Sequence, residues 1–360
     1  MKRFRYIHLI WADEMKFSRP LVEMFRDNRN LLKSDEHAFV TPHRDICDAL
    51  KPEGNVYLDE SGENLFNKYA PLCSYVISHD FPSKKIVFGI RRRYRNRIVY
   101  RYWGGRRYML SAKQKNILRR IYANIYNSLY KRAFRYIYDG LALIGISNLV
   151  DEIDLAPFIR RTPLMMMPYP DEKEYEMVQE TKNKIRKSGP LRVLVGHKST
   201  SLENHIYYLE LLRKYPSDKL EIYVPLSYGD KKYRDEIVTY VSRNNLSNVT
   251  LVTDFMSSCD YISFLSTIDI AIIECANSIA LGNIKILLSL GKTVYLSRNG
   301  VIRKACEREE IPTRCVDEIS SMSFEKFGEV LEYEEKDSSL FLQSYDYYLD
   351  CWVRIMEFLD

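Results

Sequence analysis

The stretch Leu191 to Leu212, LRVLVGHKSTSLENHIYYLELL, constrains the fold more than any other. Its opening run, Leu191-Arg192-Val193-Leu194-Val195, is largely apolar and β-branched and reads as a buried strand of a parallel sheet. Gly196 ends that strand and a polar loop follows, His197-Lys198-Ser199-Thr200-Ser201. Glu203-Asn204-His205 then opens a helix with Ile206, Leu209 and Leu212 at helical spacing. Strand, short loop and helix place free backbone N–H groups and a positive helix end at the carboxyl edge of a sheet, which suits an anion. The same arrangement also serves as an ordinary strand-to-helix turn with a serine cap.

The pattern recurs along the chain. In the first half, strands are expected at Arg5 to Trp11, Ala38 to Val40, Asn55 to Leu58, Cys73 to Ile77, Ile86 to Ile90, Ile98 to Trp103, Leu141 to Gly145 and Leu164 to Met167. Helices are expected near Arg19 to Arg29 and from Ala112 to Tyr138. The second half gives strands at 191–195, 220–224, 249–252, 268–273 and 293–296, with helices such as Lys232 to Asn244 and Ile279 to Leu290 between them. Alternating strands and helices require a parallel sheet in each half. Pro163, Pro168 and Pro170 mark a linker. The expected organisation is an N-terminal domain over 1–165, a second domain over 185–335, and a closing segment, 338–360, whose helix packs across the domains with Tyr348, Trp352, Ile355 and Phe358 on one face. The fold class is α/β, two Rossmann-like domains facing a cleft.

Composition narrows the function. With 46% hydrophobic and 28% charged residues the chain is a globular protein rather than a disordered one. Seven cysteines without metal-ligand spacing argue for free thiols in a reducing compartment and against a zinc site. No window is apolar enough to span a membrane, and the N-terminus does not read as a signal peptide. The net charge of +6 is unevenly placed. From Phe81 to Tyr138 there are seventeen Lys and Arg and no Asp or Glu, interleaved with tyrosines and Trp103. Arg91-Arg92-Arg93-Tyr94-Arg95-Asn96-Arg97 suits a phosphate-bearing surface. Two classes stay open on these residues alone: an enzyme acting on anionic substrates, or a non-enzymatic binder of nucleic acid or anionic surfaces.

A set of matches spread over the whole chain favours the enzyme. They are Ile7-His8-Leu9 with Asp13, Arg19 and Phe25; Trp103-Gly104 with Tyr108; Leu194-Val195-Gly196 with Asn204-His205-Ile206; and Val224-Pro225 with Tyr228 and Tyr233. Further along come Tyr261, Leu265 and Asp269; Gly282 with Leu287; Leu296 with Arg298; and Tyr348-Leu349 with Trp352. In their order and spacing the chain resembles the enterobacterial TDP-N-acetylfucosamine:lipid II N-acetylfucosaminyltransferase family, which builds enterobacterial common antigen. The resemblance implies a two-domain GT-B glycosyltransferase. Its donor would be a TDP-sugar and its acceptor a polyprenyl-diphosphate glycolipid. The chain departs from the family at Arg106, where the family has Asp, at Asn277-Ser278-Ile279, where it has Arg-Gln-Gln, and at Glu203-Asn204, which reverses its Asn-Glu. The sugar is therefore left open, and another nucleotide sugar of capsule or related glycans is the alternative.

Such a transfer must stabilise a departing nucleoside diphosphate. No Asp-x-Asp stands at a strand end, so neither a metal nor a cofactor is expected. Arg298, after the 293–296 strand, is the first choice for the diphosphate, since its planar fork suits phosphate oxygens. The loop from Gly196 through Ser199 and Ser201 to Asn204 and His205 would add backbone N–H groups and hydroxyls. Glu274 and Asn277 would take ribose hydroxyls, Tyr228 would stack on the base or close the cleft, and Gly282-Asn283 would meet phosphate. Asp13 and His8 are the catalytic candidates. Arg91, Arg92, Arg93, Arg95, Arg97, Trp103 and Arg106 are assigned to the acceptor and the membrane. Ile117, Ile121, Ile125 and Leu129 recur at four-residue steps among basic residues, either as a core stripe or as a membrane-facing one. The expected location is the cytoplasmic face of the bacterial inner membrane, held peripherally.

Overall fold

In the computed structural model the chain is described at residues 4–11, 15–61, 64–81, 83–103, 117–170, 172–182, 189–274, 278, 280–333 and 338–360. Short β-branched and aromatic runs form thirteen strands among the described residues. The first seven are β1 (Tyr6–Ile10), β2 (His37–Thr41), β3 (Val56–Leu58), β4 (Tyr75–His79), β5 (Ile98–Arg101), β6 (Leu143–Ile146) and β7 (Leu164–Met166). The remaining six are β8 (Leu191–Val195), β9 (Leu220–Pro225), β10 (Val249–Val252), β11 (Ile270–Ile273), β12 (Thr293–Leu296) and β13 (Arg314–Cys315).

The strands sort into two sheets, each parallel throughout, ordered β3-β2-β1-β4-β5-β6-β7 and β10-β9-β8-β11-β12-β13. Each sheet grows from a central strand outward in one direction and then returns to grow in the other. The reversal falls between β1 and β4 in the first sheet and between β8 and β11 in the second. In an open parallel sheet the crevice at the carboxyl ends of those two strands is where ligands bind.

The chain divides into one unit of Met1–Asp171 with Tyr345–Asp360, and a second of Glu172–Ser344. In the first unit every residue of β1 and β2 is buried, because helices cover both faces of the sheet. The closing helix, Tyr345–Leu359, belongs to this unit. Its Tyr348, Trp352, Ile355, Met356 and Leu359 enter the core, and the Trp352 indole donates to the Pro168 carbonyl at 3.0 Å. Phe358, expected on the same face, is exposed. In the second unit β8, β9, β11 and β12 enclose a core with Tyr208, Leu209, Leu212 and Phe327.

Local chemistry accounts for the other departures from expectation. The apolar run Ile86 to Ile90 is a helix, Lys84–Phe88, not a strand, because the Ser83 hydroxyl caps the Ile86 N–H. The helix expected from Glu203 begins at His205, after a 3-10 turn over Ser201–Glu203 and Asn204 in the left-handed region (φ 48°). The closing helix starts at Tyr345 rather than Ser339. Leu340, Phe341 and Leu342 are buried, but outside any helix. No described helix is long and apolar enough to cross a membrane.

Candidate active site

In the second unit the loop after β8 lies at the switch between β8 and β11. It was expected to offer its N–H groups to a ligand, but those of residues 196 to 199 are already taken by the protein. The Glu203 carboxylate, 1% exposed, folds back to accept the backbone N–H of His197 at 3.0 Å and of Lys198 at 3.3 Å, and pairs with the His197 ring. The Gly196 N–H reaches the Ile272 carbonyl and that of Ser199 the Tyr228 carbonyl. The Ser199 hydroxyl donates to the Asp230 carbonyl at 2.5 Å, and the Ser199 carbonyl accepts the Asp230 N–H. Gly196, Ser199 and His205 therefore build the loop and do not reach a ligand. At Gly196 (φ +73°) a side chain would meet the His205 ring and the Glu203 carboxylate, so glycine is required there. His205 is fully buried and 3.5 Å from Glu203; burial pushes its ring down to about 4. Ser201 and Asn204 remain exposed.

Two features at this crevice do stay open. Glu274, the first residue after β11, accepts the Asn204 side-chain amide at 2.7 Å and the Tyr208 hydroxyl at 2.8 Å, both on Oε2. It ties the two loops of the switch together and leaves Oε1 without a partner among the described residues. The helix Leu281–Ser289 starts beside it. Its Gly282 is exposed, and a Cβ there would find nothing within 4 Å among the described residues, so this glycine is not a close-packing device against them, and it stands in the first turn of the helix. Asn283 follows in the same turn, and Ala280 takes a left-handed conformation (φ +69°) to start the helix. Arg298 follows β12 at the same edge, exposed and paired with Asp317 at 2.8 Å. Tyr228 is half-exposed beside His197 and Lys198. Tyr261, whose buried hydroxyl has no hydrogen-bond partner, completes the surroundings. Asn277 lies outside the described residues.

In the first unit the switch between β1 and β4 carries Trp11, whose indole donates to the Ser78 hydroxyl at 2.9 Å, and Asp80, in the left-handed region (φ +90°). Asp13 and Arg106 lie outside the described residues. His8 does not fit a catalytic part. It is 0% exposed at the middle of β1, packed on Phe25, Phe39 and Trp352. Its Nε2 meets His37 Nδ1 at 2.8 Å and its Nδ1 meets His79 Nε2 at 2.9 Å, and His79 Nδ1 meets the Tyr169 hydroxyl at 2.8 Å. Burial pushes His37 and His79 down to about 3 and His8 well below its usual value, so the stack is neutral.

The residue that sequence reasoning missed is Arg101, which ends β5. It is 5% exposed and donates to the Met167 carbonyl at 2.7 Å and to the Tyr102 carbonyl, but no carboxylate lies within ion-pair distance among the described residues. Its guanidinium lies 4.9 Å from the Tyr169 ring and 5.4 Å from that of Trp103, and Phe17 packs edge-on against Trp103. Burial pushes the Asp151 carboxyl up and this arginine's charge pulls it back without pairing to it, so the cation is only partly compensated and suits a further anion. Half-buried aromatic rings beside it suit the apolar face of a sugar or a hydrocarbon chain. Trp103 thus falls at the carboxyl edge, as an acceptor role requires. Arg92, Arg93, Arg95 and Arg97 form a 3-10 turn that runs into β5 from its amino end, with Arg91 just before it. They sit at the opposite edge of the sheet and do not meet the crevice.

Two parallel α/β units of this topology define the GT-B class of glycosyltransferases, and comparison with solved structures agrees. The chain is similar to the Anabaena protein HepE crystallised with UDP (TM-score 0.55, 11% identity, 84% of this chain and 82% of that one). It is also similar to the α,α-trehalose 6-phosphate synthase of Burkholderia multivorans (TM-score 0.51, 9% identity, 100% and 98%) and a glycosyltransferase of Rickettsia africae (TM-score 0.50, 11% identity, 85% and 82%). No curated protein matches the sequence. Residues 93–358 match the family described as 4-alpha-L-fucosyltransferase, glycosyl transferase group 56, and the chain belongs to that family. It is a glycosyltransferase.

Proposed function

We propose that this enzyme moves an acetamido-deoxy sugar of the N-acetylfucosamine kind from a TDP-sugar to a polyprenyl-diphosphate-linked glycolipid in surface-polysaccharide assembly, enterobacterial common antigen being the type case. The observation that carries the donor half is the switch of the second sheet, where a helix N-terminus, a tethered carboxylate and an exposed arginine share one edge. The N–H groups at Gly282 and Asn283 and the Arg298 guanidinium receive the diphosphate and stabilise its charge as the glycosidic bond breaks. Glu274 Oε1 accepts a ribose hydroxyl, assisted by Asn277, and Tyr228 covers the base. UDP in the similar HepE structure supports a nucleoside diphosphate as the ligand class.

The acceptor half rests on Arg101 with Trp103, Tyr169 and Phe17, which offer one buried positive charge and apolar walls to an anionic, lipid-linked glycan. Asp13, after β1, orients the acceptor hydroxyl. The transfer needs no metal. The enzyme reaches its acceptor by peripheral attachment to the cytoplasmic face of the bacterial inner membrane. In support, Ile117, Leu118, Ile121, Tyr122, Ile125 and Leu129 of the helix Ile117–Tyr138 are all exposed, while Ala123, Asn127, Tyr130 and Phe134 face the core. The four-residue stripe is therefore not core packing.

The test is a transfer assay with TDP- and UDP-linked acetamido sugars and a polyprenyl-diphosphate disaccharide, with and without EDTA. The expected result is product from a TDP-sugar with EDTA present. Product only from a UDP-sugar would favour the alternative, a transferase for another surface glycan. Activity lost in EDTA and restored by Mg²⁺ would overturn metal independence.

A further inference from the structure

The arginines that miss the crevice gather elsewhere. Arg92 and Arg95 precede β5, Arg132 and Arg135 lie in the last turns of the helix leading to β6, and Arg160 and Arg161 precede β7. Since β5, β6 and β7 are adjacent and parallel, all three connections meet at the amino edge of the first sheet. There they line one pocket of about 700 Å³ with six guanidinium groups and a single carboxylate, Asp139. That carboxylate is engaged: its Oδ1 accepts the backbone N–H of Arg160 at 2.7 Å and of Arg161 at 3.1 Å.

None of the six arginines has a carboxylate within 4.0 Å among the described residues, whereas Arg5, Arg19, Arg44, Arg192, Arg298 and Arg314 each have one. Arg95 and Arg135 hold backbone carbonyls at Tyr136 and Pro157 with one nitrogen each, yet their Nε atoms are buried and without a partner. Six like charges held together, with two buried Nε donors unmet among the described residues, suit the oxygens of an anionic phosphate.

The neighbouring surface says which oxyanion. On the helix Ile117–Tyr138, residues 117, 121, 125 and 129 are followed at spacings of three and four by Arg132 and Tyr136, the latter also exposed. All six stand on one face, so the exposed apolar stripe runs directly into the pocket. A helix of this kind lies in a membrane interface with its apolar face toward the acyl chains, and the pocket at its end would then sit at headgroup depth. We infer that the arginine pocket at the amino edge of the first sheet binds the phosphate of an anionic phospholipid headgroup, at a site separate from the acceptor's diphosphate. This rests on the peripheral-membrane reading above and adds a discrete lipid site to it.

The experiment uses the full chain and vesicles of phosphatidylcholine, alone or mixed with phosphatidylglycerol. The comparison is between the native protein and the double variant Arg132→Glu, Arg161→Glu, two exposed positions. TDP affinity, measured by calorimetry, reports on the donor site independently. Expected are preferential sedimentation of the native protein with phosphatidylglycerol vesicles and a loss of about tenfold or more in the double variant, with TDP affinity unchanged. Equal binding to both vesicle types, or full phosphatidylglycerol preference in the double variant, overturns the pocket while leaving the apolar stripe as the membrane contact. No vesicle binding by the native protein overturns both. Tighter binding of inorganic pyrophosphate or an oligonucleotide than of anionic vesicles overturns the lipid as its ligand.

Discussion

The two sheets share a topology and treat their switch crevices in opposite ways. In the second unit the loops are held by carboxylates: Glu203 satisfies the N–H groups of the β8 loop and Glu274 clamps that loop to the end of β11. In the first unit the strands are pinned from within by neutral histidines, and the charge offered at the edge is the cation of Arg101. A β8 loop that has used the donors of residues 196 to 199 directs the proposed anion site to the helix start at Gly282. An edge whose buried arginine makes no direct ion pair among the described residues, although its charge acts on the Asp151 carboxyl, can still receive an anionic ligand. The contrast supports the proposed division, with the nucleotide donor in the second unit and the anionic acceptor in the first.

The largest expected effect comes from breaking the carboxylate side. Glu203→Ala leaves two buried N–H groups and His197 unmatched, a loss of about 3–5 kcal/mol. In calorimetry the transition of the second unit should fall while that of the first stays in place. Next, Arg101→Gln removes the buried cation. It should raise the KM for the acceptor by roughly ten- to a hundredfold, about 1.5–3 kcal/mol, and leave TDP affinity alone. Arg298→Ala should do the reverse, weakening TDP by about 1.5–3 kcal/mol with the acceptor KM unchanged. If either variant moved both parameters alike, the division of labour would fail.

At neutral pH the smallest effect lies in the histidines, whose contribution shows only as the pH falls. His8, His37 and His79 have folded-state values pushed below the ordinary 6.5, so the unfolded chain binds protons first as pH drops. Their contribution to stability is complete above about pH 6.5 and falls away as the pH drops below it, through about 3 for His37 and His79. His8→Phe should flatten the acid limb of the first unit's stability curve, and an unchanged limb would contradict the neutral stack.

Much of this architecture was legible in the sequence, because a strand buried on both faces can hardly read as anything but an apolar run. The exceptions are physical. Ile86 to Ile90 is apolar but short, and a single hydroxyl at Ser83 decides for helix. β13 has two residues and no periodicity to detect. His8 was a catalytic candidate because it flanks the first strand and its loop, where a general base can stand. Only the register of β1 with β2 and β4 shows that it meets two more histidines. Glu203 could not be placed from its position, since its partners depend on the loop turning back through Asn204. The arginine tract was visible as charge, but which edge of the sheet it occupies is a property of topology. Arg101 was passed over because it reads as one more basic residue in a basic region, and burial alone sets it apart.

The central claim is that the donor's diphosphate binds at the N-terminus of the helix Leu281–Ser289. Gly282→Asp tests it directly, because no described residue lies within 4 Å of the added Cβ and an acidic residue in the first turn favours the helix by about 0.3–1 kcal/mol. Titration calorimetry with TDP, beside the melting temperature of the same variant, is the measurement. The expected result is an unchanged or higher melting temperature together with a loss of TDP affinity of tenfold or more, by roughly the charge-repulsion scale of 1.4 kcal/mol or above. A variant that melts normally and binds TDP as the native protein does would contradict it.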